Sequence, residues 1–288
     1  MAMIEFQGVT KRFRRVEVLK GIDLQIERGD RVALVGSNGA GKTTMIRCLL
    51  GEYQCGGKVV VDGLEPRQHR TEVLKHVGFV PQISPPLKMP VGQLIRFAAG
   101  VCGSDPDNMV AVAQKLGLDI QKIRHQPFNK LSGGQKQKML ISIALGRECA
   151  LLVLDEPAAN LDPEARHIFF QLLEEKRDKA AMIISSHRLD EVASLVNRVV
   201  EMDQGEIVLN DHVADNVNMT SMLRCRLTLT RPSKAFAQTV AEWGFQDVQE
   251  QSIWEGRVAG PDRLRFLGML SRYAAILKGI HLDEAQGA

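Results

Sequence analysis

The sequence is poor in the features that mark specialised architectures. No apolar stretch approaches the ~20 residues a membrane helix needs, and the longest candidate, LIRFAAGVC, is interrupted by Arg96. The chain is therefore expected not to span a bilayer. Its five cysteines, Cys48, Cys55, Cys102, Cys149 and Cys225, contain no C-x-x-C pair and are odd in number. That usage fits reduced thiols and argues against a disulfide framework, a metal site or a redox pair. The first residues, MAMIEFQGVTKRF, lack the basic start, apolar middle and cleavage site of a secretory signal, so the expected compartment is the cytosol. Strong charge of either sign is missing too: a net +3 is too mild to imply nucleic acid as a partner. The basic run KRFRR, Lys11 to Arg15, reads as a solvated strand edge.

What is present is an ordinary globular balance, with 44% hydrophobic and 25% charged residues over 288 positions, enough for one large or two modest domains. Within it lies GSNGAGKT, Gly36 to Thr43, which fits the phosphate-binding pattern G-x-x-x-x-G-K-[ST]. The apolar strand RVALV precedes it. The short helix KTTMIRCLLG follows, with Ile46, Leu49 and Leu50 on one face and Gly51 as its stop. In that setting Gly36, Ser37, Asn38, Gly39, Ala40, Gly41, Lys42, Thr43 and Thr44 are the expected nucleotide cradle. Glycines let backbone N–H groups curl around a polyphosphate, and Lys42 reaches the terminal phosphates. The Thr43 hydroxyl is expected on Mg²⁺.

Up to about residue 210 strand and helix patterns alternate. IEFQGVTKRF, VLKGIDLQIERGD and KVVVDG read as early strands, and HVGFVPQ, ALLVLD, AMIISSH and RVVEM as buried ones separated by helices. Such spacing predicts a parallel sheet covered by helices, with nucleotide at the carboxyl ends of its strands. After NDHVADNVNMTS the character changes. LRCRLTLT alternates as a half-buried strand, and SKAFAQTVAEWGF places Phe236, Val240 and Trp243 at helical spacing before Gly244. A polar pair of short strands around Glu255-Gly256 comes next, then a helix from near Pro261-Asp262 with Leu264, Leu267, Leu270 and Tyr273 inward, and a last strand, ILKGIHL. The order β-α-β-β-α-β is that of a ferredoxin-like domain, expected over 219–288. Trp243 and Trp254 are read as core residues rather than a ligand cage.

The companions of the phosphate loop specify the chemistry. LLVLDEP puts Asp155 at the end of a buried strand, where its carboxylate can hold Mg²⁺ through water. Glu156 beside it can take a proton from an attacking water. LSGGQ, Leu131 to Gln135, opens a second helix, KQKMLISIALGRE, whose N-terminus also faces something anionic. Phosphate loop, LSGGQ and LLVLDEP, in this order along the chain, resemble the nucleotide-binding subunit of an ATP-binding cassette (ABC) transporter over residues 1 to about 215. The resemblance implies a P-loop α/β fold with a RecA-like core, an antiparallel β subdomain and a helical subdomain at about 83–148. It also implies head-to-tail dimerisation, as homodimer or heterodimer, with Ser132, Gly133, Gly134 and Gln135 of one copy closing on ATP held by the other.

By the same resemblance Phe13 matches the residue that stacks on adenine, where Tyr is commoner; read without it, Phe13 is a core residue of an edge strand. Gln82 in GFVPQ matches the glutamine that touches Mg²⁺ and heads a loop facing the membrane partner. Asn160, Leu161 and Asp162 match the loop that couples the two sites, and His187 matches the switch histidine at the γ-phosphate. The other histidines are assigned nothing. ATP and Mg²⁺ are the implied cofactors, and a separate transmembrane permease the implied partner, with the ATPase peripheral on the cytoplasmic face of the inner membrane. SSHRLDEV resembles the form common in the export-type group, and SGGQKQK with the chain length resembles the copper-processing ATPase of nitrous oxide reductase maturation. An importer whose tail regulates it, and a soluble ABC ATPase acting on ribosomes or DNA, are the alternatives. The tail carries no catalytic string and reads as a docking or dimer-stabilising module rather than a small-molecule sensor.

Overall fold

The computed structural model is described for residues 2–186, 192–193, 195–212, 222–249, 251–259, 262–271, 273 and 276–284. The chain divides into two compact units, one of residues 1–187 and 195–212, the other of 188–194 and 213–288. No helix among the described residues is long and apolar enough to cross a membrane.

The first unit holds two sheets. β1 (Ile4–Phe13) lies between β2 (Val16–Ile26) and β4 (Gly56–Val61), antiparallel to both. The second sheet runs β5 (Val77–Val80), β6 (Leu151–Asp155), β7 (Ala181–Ser185), β3 (Arg31–Val35), β8 (Arg198–Asp203), β9 (Glu206–His212). All its pairings are parallel except β8 with β9. Every residue of β6 and β7 is buried, which is why they read as unbroken apolar runs rather than alternating ones. Each fully buried Leu, Ile or Val there stabilises by about 1.5–3 kcal/mol relative to exposure. The helices are α1 (Lys42–Leu49), α2 (Arg70–Lys75), α3 (Val91–Cys102), α4 (Pro106–Lys115), α5 (Ile120–Ile123), α6 (Gly133–Leu145) and α7 (Pro163–Glu174).

The second unit is one antiparallel sheet in the order β11 (Gln246–Gln249), β12 (Ile253–Ala259), β10 (Met222–Leu229), β13 (Leu277–Glu284). α8 (Lys234–Glu242) follows β10, and α9 (Arg263–Ser271) follows β12. Cys225, Leu227 and Leu229 pack with Phe236, Val240, Phe245, Trp254 and Phe266 into its core. Two expectations are corrected here. Glu255 and Gly256 lie inside β12 opposite Arg226 and Cys225, and the glycine is demanded by packing: a Cβ there would stand 2.5 Å from the Phe245 ring. The inward face of α9 holds Leu270 and Leu267, and Tyr273 just past its end packs against the same core, as expected. Its most buried members, however, include Phe266 and Met269, which the expectation left out, with Phe266 stacked on Phe245 at 5.0 Å; the Leu264 side chain lies outside the described residues.

Candidate nucleotide site

The phosphate loop leaves the carboxyl end of β3 and runs into α1. Gly36 has φ +145° and a Cβ there would meet the Met202 carbonyl at 2.2 Å, so no other residue fits without moving β8. Gly41, the N-cap of α1, has φ +108°. Ile46, Leu49 and Leu50 are buried as expected, and Gly51 at φ +66° ends the helix, its N–H bonded to the Cys48 carbonyl. Apolar anchoring on one side thus fixes the loop's backbone amides on the other.

Residues Asn38 to Thr44 line a cleft of about 290 Å³ together with Val18, Gln82 and Glu156. Lys42 is buried, and its ammonium donates to the carbonyls of Gly36 at 2.6 Å and Ser37 at 3.1 Å. Burial lowers its pKa, while Glu156 and then Asp155 pull in the opposite direction. Lys42 therefore shares its electrostatic environment with both carboxylates of the β6 end.

Ser185 organises that end. Its Oγ donates to Asp155 Oδ1 at 2.6 Å and accepts from the Glu156 N–H at 2.9 Å. The parallel register of β6 and β7 sets Asp155 opposite Ser185 and makes both bonds possible. Glu156 itself sits at φ +48°, a conformation that costs a non-glycine residue about 1–3 kcal/mol and is held by its surroundings. Asp155 is buried and Glu156 only partly so, which suits a fixed carboxylate beside one open to the cleft. The glycine cradle, the Thr43 hydroxyl, the buried Asp155 and the cleft-lining Gln82 fit a magnesium–polyphosphate ligand in donor chemistry. His187 lies outside the described residues.

The LSGGQ segment is built differently. Ser132 caps α6, its Oγ accepting from the Gln135 N–H at 3.2 Å, while the Gln135 side chain accepts from the Ser132 N–H at 3.0 Å. Ser132 and Gly133 are exposed. Asp162 caps α7 and forms an ion pair with Lys138 of α6 at 2.8 Å. A Cβ on Gly134 would lie 3.2 Å from the Asn160 carbonyl, so the two loops touch. Asn160 is exposed and Leu161 buried. Gln137, one helical turn in, donates to the Pro157 carbonyl at 2.7 Å and ties α6 to the loop after Glu156. None of Ser132, Gly133, Gly134 or Gln135 lines the phosphate-loop cleft.

Phe13 is 40% exposed at the end of β1 and packs edge-on against Tyr53 at 5.2 Å, with Lys11 Nζ 4.8 Å above its ring. It is therefore no core residue, and Val18 is the apolar β2 side chain that lines the cleft. Neither Phe13 nor Tyr53 lines the phosphate-loop cleft. One contributor escaped the sequence: Ser185 could have been found only from strand register.

The ABC transporter family model matches residues 19–159. The glutamine transport ATP-binding protein GlnQ of Escherichia coli is 30% identical over 216 residues, which cover 71% of this chain and 89% of that protein. The chain belongs to the ATP-binding family of ABC transporters. The ribose import ATP-binding protein RbsA of Burkholderia mallei is 35% identical over 224 residues, 74% of this chain. This ABC chain spans under half the length of that relative, 44%. An ATP-binding cassette solved as a dimer in a post-hydrolysis state with ADP and Pi shares its fold, with a TM-score of 0.65 at 21% identity over 74% of this chain and 99% of that one.

Proposed function

We propose that this chain is the ATP-hydrolysing subunit of an ABC transporter and that each of its nucleotide sites is completed by a second ATPase subunit. The observation that carries the reading is the separation of the two halves. The cleft holds the phosphate loop, Gln82 and Glu156 but no signature residue, while Ser132 and Gly133 stand exposed at a capped helix N-terminus. A helix start whose first serine and glycine stand exposed is suited to phosphate, and a second copy turned head to tail supplies it.

In this reading the loop amides and Lys42 neutralise the β- and γ-phosphates of ATP. Thr43, Gln82 and Asp155 hold Mg²⁺, which when bound supplies positive charge against the phosphate oxygens. Glu156 accepts a proton from the attacking water, His187 orients it towards the γ-phosphate, and Ser185 keeps the Glu156 backbone fixed. Ser132, Gly133, Gly134 and Gln135 of the second copy close the cage. Asn160, Leu161 and Asp162, in contact with Gly134 and Lys138, pass the state of one site to the other. Phe13, exposed at the end of β1 and braced by Tyr53, is the residue offered to the adenine ring. Glu156→Gln preserves shape and removes the base, so ATP turnover should fall by at least a hundredfold while ATP binding persists. Normal turnover in this variant would overturn the assignment.

The ATPase acts with a separate membrane-spanning permease, at the cytoplasmic face of the inner membrane. The SSHR string and the C-terminal unit favour an export-type system, of which the copper-processing ATPase is the narrowest resemblance. The name of the ribose import relative favours import, and substrate movement in vesicles carrying the partner permease distinguishes the two. We read the C-terminal unit, from its β-α-β-β-α-β order, as a ferredoxin-like accessory domain.

A further inference from the structure

The sheet of the second unit has two unlike faces. Leu223, Cys225, Leu227 and Leu229 of β10 are buried with the two helices, so the alternate residues Arg224 and Arg226 point to the uncovered side. There the register sets Arg224 directly opposite Arg257 of β12, and Arg226 between Glu255 of β12 and His281 of β13. Arg226 Nε pairs with Glu255 at 3.3 Å. Neither Arg224 nor Arg257 makes an ion pair among the described residues, and both are exposed. β13 also carries Asp283 opposite Arg224 in register.

Like charges directly opposite on an antiparallel pair destabilise it. Asp283 lies across Arg224 from β13, but Arg257 faces only Arg224 in the sheet register, so an anion placed between the two guanidinium groups relieves their repulsion. Two guanidinium groups side by side present paired N–H donors to one small anion and match the charge of a dianion. These residues, with Trp243 and Gln246, line a cavity of about 680 Å³. That volume lies in the range of small-molecule sites and is far larger than inorganic phosphate needs. The half-buried Trp243 adds an apolar wall at the same cavity.

We propose that the open face of the C-terminal sheet is a binding site for a phosphorylated small organic molecule, its phosphate held between Arg224 and Arg257 and its remaining part set against Trp243. The site is separate from the nucleotide cleft and makes this unit a ligand sensor. The arginines converge from two strands 33 positions apart in sequence, which hid them from a search for a contiguous motif.

Both tryptophans of the chain, Trp243 and Trp254, lie in this unit, so intrinsic tryptophan fluorescence reports on it and not on the phosphate loop. The full chain is first saturated with ADP and Mg²⁺, then titrated with inorganic phosphate and with glycerol 3-phosphate at constant ionic strength. The expected result is a saturable fluorescence change with both, tighter for the phosphomonoester. Arg224→Gln and Arg257→Gln, exposed changes that leave the fold intact by circular dichroism, should each weaken it at least tenfold. Lys278→Gln, also exposed on β13 but not lining the cavity, should leave it unchanged. A response reproduced by chloride, an equal response to succinate, or unaltered binding in the two arginine variants would overturn the proposal.

Discussion

Ser185 is wholly buried, yet its single hydroxyl serves both the Asp155 carboxylate and the Glu156 backbone N–H at the end of β6. Replacing it with alanine leaves a buried carboxylate oxygen and a backbone N–H without that partner, a cost of about 1–3 kcal/mol. The Glu156 backbone, held at φ +48°, then loses one of its restraints. Ser185→Ala is expected to lower kcat for ATP roughly tenfold to a hundredfold through misplacement of Glu156, with a much smaller change in KM. Steady-state ATPase kinetics check this, and a change confined to KM would contradict the positioning role. The strings Gly36–Thr43, Asp155-Glu156 and Ser132–Gln135 were legible because each is contiguous and its chemistry is local. Ser185 was not, because its task exists only once β6 and β7 lie in register, thirty positions apart. Phe13 shows the opposite limit: its identity suggested stacking, but only the fold reveals Tyr53 against it.

At the scale of elements, α6 and α7 are coupled by the Lys138–Asp162 pair as well as by their own caps. Asp162's carboxyl is held below its ordinary value of 3.8, first by the hydrogen bond from Lys138 and then by the Ala165 N–H. A depressed folded value means the stabilisation is present above the unfolded value and fades as pH falls through the folded one. Lys138→Met should therefore lower the melting temperature near neutrality, and the gap from the parent chain should narrow once the pH drops below 3.8. Thermal unfolding at matched ionic strength measures it. A gap that stays constant down to about pH 2.5 would contradict the pair's role. Element identities were legible from period and caps: apolar runs marked β6 and β7, and LSGGQ marked a helix start. Sheet order was not, since β5-β6-β7-β3-β8-β9 is a set of long-range pairings that no local pattern encodes. The strand pair expected around Glu255-Gly256 lies elsewhere for the same reason: this glycine sits inside β12 and is required by the distant Phe245 ring.

At the scale of the whole molecule, every residue lining the nucleotide cleft belongs to the first unit. Removing residues 219–288 should leave ATP affinity within about threefold of the full chain; loss of binding by a truncated chain with intact secondary structure would contradict that independence. The change of pattern after residue 210 announced the two units, whereas the basic face of the second was invisible until its strands were paired. The central claim is that an ATP site is completed by a second copy of this chain. It is tested most directly by the mass of Glu156→Gln in solution, measured by light scattering with and without saturating Mg²⁺–ATP. The account predicts about 31.9 kDa without nucleotide, about twice that with it, and no doubling once Gly134→Asp is added at the signature. A Glu156→Gln chain that binds ATP yet stays at the monomer mass, or a doubling that survives the Gly134 change, would contradict it.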